Sequence, residues 1–256
     1  MKRYYLSHQK NIRDLGGTKT IDGKTIKYGR LYRGGVLNKV NEEDINVLNS
    51  FHLTDIVDFR SEDEYKYNPD YELDGVIYHN SPAIEERVNV KDRKKDDGNL
   101  LWFVTDNTSG FEHLKRQYVD LINTKKGQEA YQNFFKVLLK EDKVIYFHCS
   151  QGKDRAGLGA FFILTALNVD KETIINDYLE SNIAMDEKID RLIKQVENKP
   201  FYNEEYKKSL IDVFHAKIEY LNAAIEEMNR IAGSPIDYIK NILNVDIDRL
   251  RKIYLK

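Results

Sequence analysis

The run His148-Cys149-Ser150-Gln151-Gly152-Lys153-Asp154-Arg155 holds the only cysteine of the 256 residues, and five positions separate it from an arginine. The β-branched and aromatic stretch 143–147 precedes this run and a helical, apolar stretch follows, so it reads as a strand-to-helix junction. Unpaired backbone N–H groups and the positive end of a helix converge at such a junction and favour an anion. Five intervening residues suffice to wrap a phosphate. Ser150, Gln151, Gly152 and Lys153 are then candidate substrate-binding positions, with backbone amides donating to the non-bridging oxygens. Gly152 permits the conformation a tight turn needs. Arg155 offers a planar, two-pronged contact to two oxygens that lysine cannot copy.

Cys149 is the candidate nucleophile, because the same amides, the helix end and Arg155 favour a thiolate. His148 is expected to support that thiolate through a hydrogen bond near Cys149, not to act as a base. Asp154 is the candidate general acid for the departing oxygen, and Lys153 adds positive charge at the pocket mouth. The expected catalytic set is therefore Cys149, Asp154 and Arg155.

Each residue alone has a plainer reading. A lone cysteine after a buried strand is commonly a small core hydrophobe, and Lys-Asp-Arg is commonly a solvated charge run. Gly152, the five-residue spacing and the junction together outweigh those readings. Carboxylates are common on surfaces, so Asp92, Asp96, Asp97 and Asp106 stand as alternative acids, carried on a lid. The six histidines are scattered without metal-ligand spacing, and neither a metal nor another cofactor is expected.

Other elements must hold this loop. Short β-like runs alternate with helical patterns, which points to an α/β domain with a central sheet flanked by helices. Residues 53–59 and 76–78 read as strands, 25–32 as short extended pieces broken at Gly29, and 11–17 as loop. Asn41 caps a helix with an acidic first turn and apolar positions Ile45, Leu48 and Phe51. Residues 111–124 and 128–141 show helical spacing, and the most apolar stretch, 156–167, reads as a buried helix. Residues 84–110 are irregular and highly charged, as a solvated insertion or a mobile lid would be. A single domain is expected over 1–256, with an α/β core over 1–200. Pro200 marks the boundary, and three helices are expected over 201–256 with a break at Gly233-Ser234-Pro235.

Composition narrows the function classes. With 41% hydrophobic and 32% charged residues the chain is of ordinary globular type. Forty basic against 42 acidic residues give a net charge of −2, so no general attraction to nucleic acid is expected and phosphate selectivity must be local. One cysteine excludes an intrachain disulfide and suits a reducing compartment. Residues 9–14 are polar where a signal core would be apolar, and 156–167 falls far short of the roughly 20 residues that span a bilayer. A cytoplasmic location without stable membrane insertion is expected, and non-classical export stays open.

The stretch HCSQGKDRAG, residues 148–157, resembles the HCxxGKDRTG loop of bacterial protein-tyrosine phosphatases of the atypical, dual-specificity-like type. Asn11-Ile12-Arg13-Asp14-Leu15-Gly16-Gly17 resembles the N-terminal motif of that family, and Leu31-Tyr32-Arg33-Gly34-Gly35 its Tyr-Arg step. Asp58-Phe59-Arg60-Ser61-Glu62-Asp63-Glu64 and Asp177-Tyr178-Leu179-Glu180-Ser181-Asn182 match two further motifs in order, and 234–255 resembles the closing helices. The resemblance thus covers nearly the whole chain.

It implies hydrolysis of phosphotyrosine, in some members phosphoserine or phosphothreonine, and in several phosphoinositides. The partner would be a phosphorylated protein or a phospholipid headgroup. In relatives with Lys-Asp-Arg the aspartate of the loop is the acid, which carries onto Asp154. The Trp-Pro-Asp acid loop of larger tyrosine phosphatases is missing, since Phe103 follows Trp102. Arg13, Asp14, Arg60 and Glu64 read as structural residues that buttress the loop, Tyr178 as packing, and Asn182 as a helix-end cap or a contact behind the loop. One departure stands out: Ala156 replaces the family's Thr or Ser, whose hydroxyl is credited with helping the cysteine leave. Two alternatives remain beside a protein-tyrosine phosphatase. Lys153 favours an inositol-phosphate or lipid phosphatase, and Ala156 alone favours a phosphate-binding pseudophosphatase.

Overall fold

The computed structural model describes residues 1–84 and 110–256. The charged insertion or lid expected over 84–110 lies almost entirely outside the described residues. The run of aromatic and β-branched residues before Cys149 forms strand β6 (Ile145–His148), buried at every position. It sits inside a six-stranded sheet of order β1-β2-β3-β6-β4-β5. Strand β6 is parallel to β3 (Leu31–Gly34) on one side and to β4 (Asp55–Asp58) on the other. Strand β5 (Ile77–Asn80) extends the parallel part beyond β4, while β2 (Ile12–Asp14) and β1 (Lys2–Tyr4) add antiparallel strands beyond β3.

Side chains alternate across this sheet, and both faces are covered. Leu31, Val57, Ile145 and Phe147 join one core with Phe134, Leu158, Phe162 and Tyr220. Ile12, Tyr32, Ile56 and Tyr146 join the other with Leu48, Phe51 and Leu53. The result is an α/β fold with a central mixed sheet flanked by helices, as expected. Helix α1 (Glu42–Asn49) begins at Asn41, whose side chain accepts from the Asp44 amide in a capping box. A second capping box, Ser61 with Glu64, starts α2 (Glu62–Tyr67) directly after β4. Helices α3 (Gly110–Asn123) and α4 (Lys125–Leu138) follow the periodic stretches, and α5 (Arg155–Ala166) is apolar all round and buried.

The remaining chain is helical: α6 (Lys171–Val196), α7 (Glu204–Phe214), α8 (Ile218–Ala232), the single turn α9 (Pro235–Asp237) and α10 (Ile247–Tyr254). Gly233 at φ 88° ends α8 and Pro235 opens the next turn, the break read from the sequence. A second break at residues 215–217 separates α7 from α8, so the stretch holds three full helices, α7, α8 and α10, with the single turn α9 after Gly233. These C-terminal helices share the core of the sheet: Tyr238 Oη donates to the Ile122 carbonyl at 2.6 Å and Tyr254 Oη to that of Leu138 at 2.9 Å. Strand β2 lies where loop was expected. Its Arg13 and Asp14 are charged yet buried, so its sequence carries no apolar alternation. No helix among the described residues is long and apolar enough to cross a membrane.

Candidate active site

Parallel register sets Gly34, Asp58 and His148 level with one another at the carboxyl ends of β3, β4 and β6. The loops leaving these three strands therefore meet, at the place where open α/β sheets bind ligands. Residues 149–154 make the turn from β6 into α5. Gly152 has φ 71°, and a Cβ there would fall 2.3 Å from the carbonyl of Gly34, so both backbone conformation and space demand glycine. Among the described residues, no acceptor meets the amides of Ser150 through Gly157. A run of free N–H groups at a helix start, beside a buried cysteine, is an anion nest.

The Arg155 guanidinium is held from behind by Glu64. Nη1 donates to Oε2 at 2.5 Å and Nη2 to Oε1 at 2.9 Å. Ser150 Oγ also donates to Glu64 Oε1 and accepts from Arg155 Nη2 at 3.3 Å, which closes a ring between the two ends of the loop. Burial opposes charge on Glu64, but Arg155 outweighs it and lowers the carboxyl to about 2.

The far side of the loop rests on buried charges. Arg33 donates through Nη2 to the Gly152 carbonyl at 2.8 Å and through Nη1 to Asp177. Arg13 donates through Nε to Asp177 Oδ1 at 2.6 Å and through Nη1 to Asn11 Oδ1 at 2.6 Å. Asn11 in turn donates to the Gln151 carbonyl at 2.9 Å. Burial opposes the charge of Asp177, yet the two arginines prevail and hold its carboxyl below the usual range.

His148 is fully buried, with Nδ1 at 3.3 Å from the Cys149 carbonyl oxygen and Nε2 at 3.2 Å from Asp70 Oδ2. Burial disfavours its charge, but Asp58 and Asp70 more than compensate and raise it above the ordinary histidine value. Asp58, Asp70 and His148 are close enough to suggest a metal site, but Arg60 lies among them. Its Nε donates to both Asp58 oxygens, at 3.0 and 2.9 Å, and its Nη2 to Asp70 at 2.7 Å, so the cation there is a guanidinium.

Asp154 begins α5, with its Oδ1 accepting from Tyr118 Oη at 2.9 Å and 3.4 Å from Lys153 Nζ. Lys153 is not at a pocket mouth. Its ammonium is buried and donates to the carbonyls of Val213 at 2.6 Å and His215 at 3.3 Å, and burial pushes its pKa down. Its amide belongs to the nest and its charge does not.

A sequence profile of the tyrosine phosphatase family matches residues 4–256. The chain belongs to the tyrosine phosphatase family. It is an enzyme of that class, a protein-tyrosine phosphatase and so a phosphoric monoester hydrolase. A Cupriavidus necator protein bearing the name tyrosine-protein phosphatase is 27% identical over 252 residues, covering 96% of this chain and 85% of its own. The triple specificity protein phosphatase PtpB of Mycobacterium tuberculosis is 26% identical over 275 residues, 96% of each chain. A crystal structure of Pseudomonas aeruginosa TpbA in complex with phosphotyrosine matches 90% of this chain and 88% of that one, at 12% identity and a TM-score of 0.31, too slight a likeness to bear on the chemistry.

The phosphatase brings His148, Cys149, Ser150, Gln151, Gly152, Asp154 and Arg155 together at one junction. The alternative acids Asp92, Asp96, Asp97 and Asp106 lie outside the described residues. Three residues given no role from the sequence act on the loop: Arg33, Asp177 and Tyr118. Glu64, read from the sequence as a buttress of the loop, also closes the capping box of α2, so one carboxylate serves both the cap and Arg155. Asn182 is not a helix-end cap: from mid-α6 it bonds both the N–H and the carbonyl of Ala216.

Proposed function

We propose that this phosphatase hydrolyses phosphotyrosine through a phosphocysteine intermediate. The observation that supports it is the run of amides 150–157, unpartnered among the described residues, which starts beside Cys149 and includes an Arg155 fixed by Glu64. The substrate's non-bridging oxygens accept from those amides and from Arg155, while His148 supports the loop at the Cys149 carbonyl. Cys149 Sγ attacks phosphorus, the bond to the tyrosine oxygen breaks, and Asp154 gives that oxygen its proton. Water then attacks phosphorus, Asp154 takes the proton of that water, and the S–P bond breaks to return thiolate and inorganic phosphate. The gathered donors stabilise the charge in both transition states. Ser150, Gln151, Gly152 and Lys153 bind through backbone. No step calls on a metal or cofactor.

Activity toward phosphoserine and phosphothreonine follows from the same site with a poorer leaving group. A lipid or inositol-phosphate substrate loses its main ground, because the Lys153 ammonium is engaged with carbonyls. The pseudophosphatase reading rests on Ala156 alone.

A substrate panel at one pH tests the proposal: phosphotyrosine and phosphoserine peptides against phosphoinositide vesicles, with acid quenching to trap labelled phosphocysteine. Release should be fastest from phosphotyrosine, with label on Cys149 and no effect of chelators. Faster release from the vesicles would make this a lipid phosphatase. Vanadate binding without turnover of any member would make it a binding module.

A further inference from the structure

An aspartate at the first position of a helix ordinarily accepts an amide of its own first turn. Asp154 does not. It stands at the N-cap of α5 with αR backbone angles and makes no side-chain capping bond. Its Oδ1 turns instead to the hydroxyl of Tyr118, a fully buried residue of α3. Tyr178 of α6 backs that hydroxyl: the two Oη atoms are 2.9 Å apart, and the rings meet edge to face with centroids at 6.3 Å. Tyr178 Oη also lies 3.2 Å from the Lys217 carbonyl oxygen, so the chain of hydroxyls is anchored at the α7–α8 turn.

We infer that Tyr118 is a positioning residue, whose hydroxyl holds Oδ1 of the acid Asp154 and leaves Oδ2 to carry the proton. This rests on Asp154 being the acid. Tyr118 suits the task because burial first, and the Asp154 charge second, push its pKa well above the ordinary tyrosine value. It therefore donates in both halves of the cycle, whether Asp154 is about to give up a proton or has already done so. Oδ2 has no partner among the described residues. Without the Tyr118 bond only the Lys153 ammonium, 3.4 Å away, faces Oδ1, and the carboxylate can swing onto the open amides of its own helix, out of the acid's place and into the nest.

The test compares Tyr118→Phe, Asp154→Asn and the double variant on para-nitrophenyl phosphate, a good leaving group, and phenyl phosphate, a poor one. Tyr118→Phe should lower kcat on phenyl phosphate about 10-fold or more, the worth of a hydrogen bond to a charged group, and spare nitrophenyl phosphate. Vanadate inhibition should be unchanged. In the Asp154→Asn background the same substitution should add nothing. Equal losses on both substrates, weakened vanadate inhibition or additive losses would overturn the positioning role alone, provided Asp154→Asn is itself leaving-group selective. If Asp154→Asn is equally mild on both substrates, the acid assignment falls and the inference with it. Should Tyr118→Phe fail to fold, Tyr178→Phe removes the hydroxyl behind it and decides by the same split: selective loss supports the role, uniform loss or none refutes it.

Discussion

Replacing Glu64 by Gln removes one charge and turns one acceptor oxygen into a donor facing a guanidinium. Both forks of Arg155, the Ser61 amide and the Ser150 hydroxyl bond that carboxylate, so no rotamer of the amide serves all four. The magnitude follows from the lowered carboxyl. A fall from 4.5 to about 2 corresponds to about 3.5 kcal/mol at about 1.4 kcal/mol per unit, an upper figure that solvent screening reduces because the Glu64 side chain is 27% exposed. The sign is that of a depressed acid: the contribution is complete above the unfolded value and is lost as pH falls from 4.5 through about 2. Urea unfolding near neutral pH should therefore find Glu64→Gln less stable by up to about 3 kcal/mol, with the gap narrowing to roughly half by about pH 3. Arg155, no longer held, should bind vanadate more weakly, and kcat/KM should fall about 10- to 100-fold. A variant with wild-type stability and vanadate affinity, or a gap that does not narrow in acid, would refute the reasoning.

Cys149→Ser should abolish turnover while vanadate still binds, since an alcohol is a far weaker nucleophile than a thiolate; measurable steady-state turnover would end the covalent mechanism. Gly152→Ala should cost about 2 kcal/mol or more in chemical denaturation and eliminate activity, because its Cβ meets the Gly34 carbonyl at a positive φ; near-normal activity would mean the loop closes differently. Ala156 is fully buried, and the Ser150 hydroxyl is engaged by Glu64 and Arg155, so neither supplies a donor to the Cys149 sulfur. Rapid mixing with para-nitrophenyl phosphate should then show a burst, and a folded Ala156→Thr variant should turn over faster with a smaller burst. No burst in the parent and unchanged turnover in the variant would contradict this.

The junction around Cys149 is legible because its signal is local: strand, glycine, arginine and helix fall within one short run. Strand β6 is legible for a similar reason, as β-branched and aromatic residues buried on both faces, and β4 through the Ile56-Val57 pair at its centre. Strand β2 is not. Arg13 and Asp14 look solvated until their partners are known, and the Arg13 partner Asp177 lies 164 residues away. Tyr118 is equally hidden, since nothing around it distinguishes a core tyrosine from one that reaches Asp154, 36 residues on. Lys153 misled in the opposite direction. A lysine between glycine and aspartate reads as exposed, and only the α7–α8 turn supplies the carbonyls that draw it inside.

That buried lysine bears on how the family can be recombined. Pro200 looks like a seam at which a catalytic half could be exchanged between relatives. Yet the Lys153 ammonium crosses it, bonded to two carbonyls at residues 213 and 215. A chimera joined at Pro200 inherits a buried cation from one parent and its acceptors from the other. A mismatch in the α7–α8 turn then strips that cation of both carbonyls and leaves it Asp154 alone, at a cost on the order of 1–3 kcal/mol. The workable joint lies upstream of β6, so that loop and turn travel together.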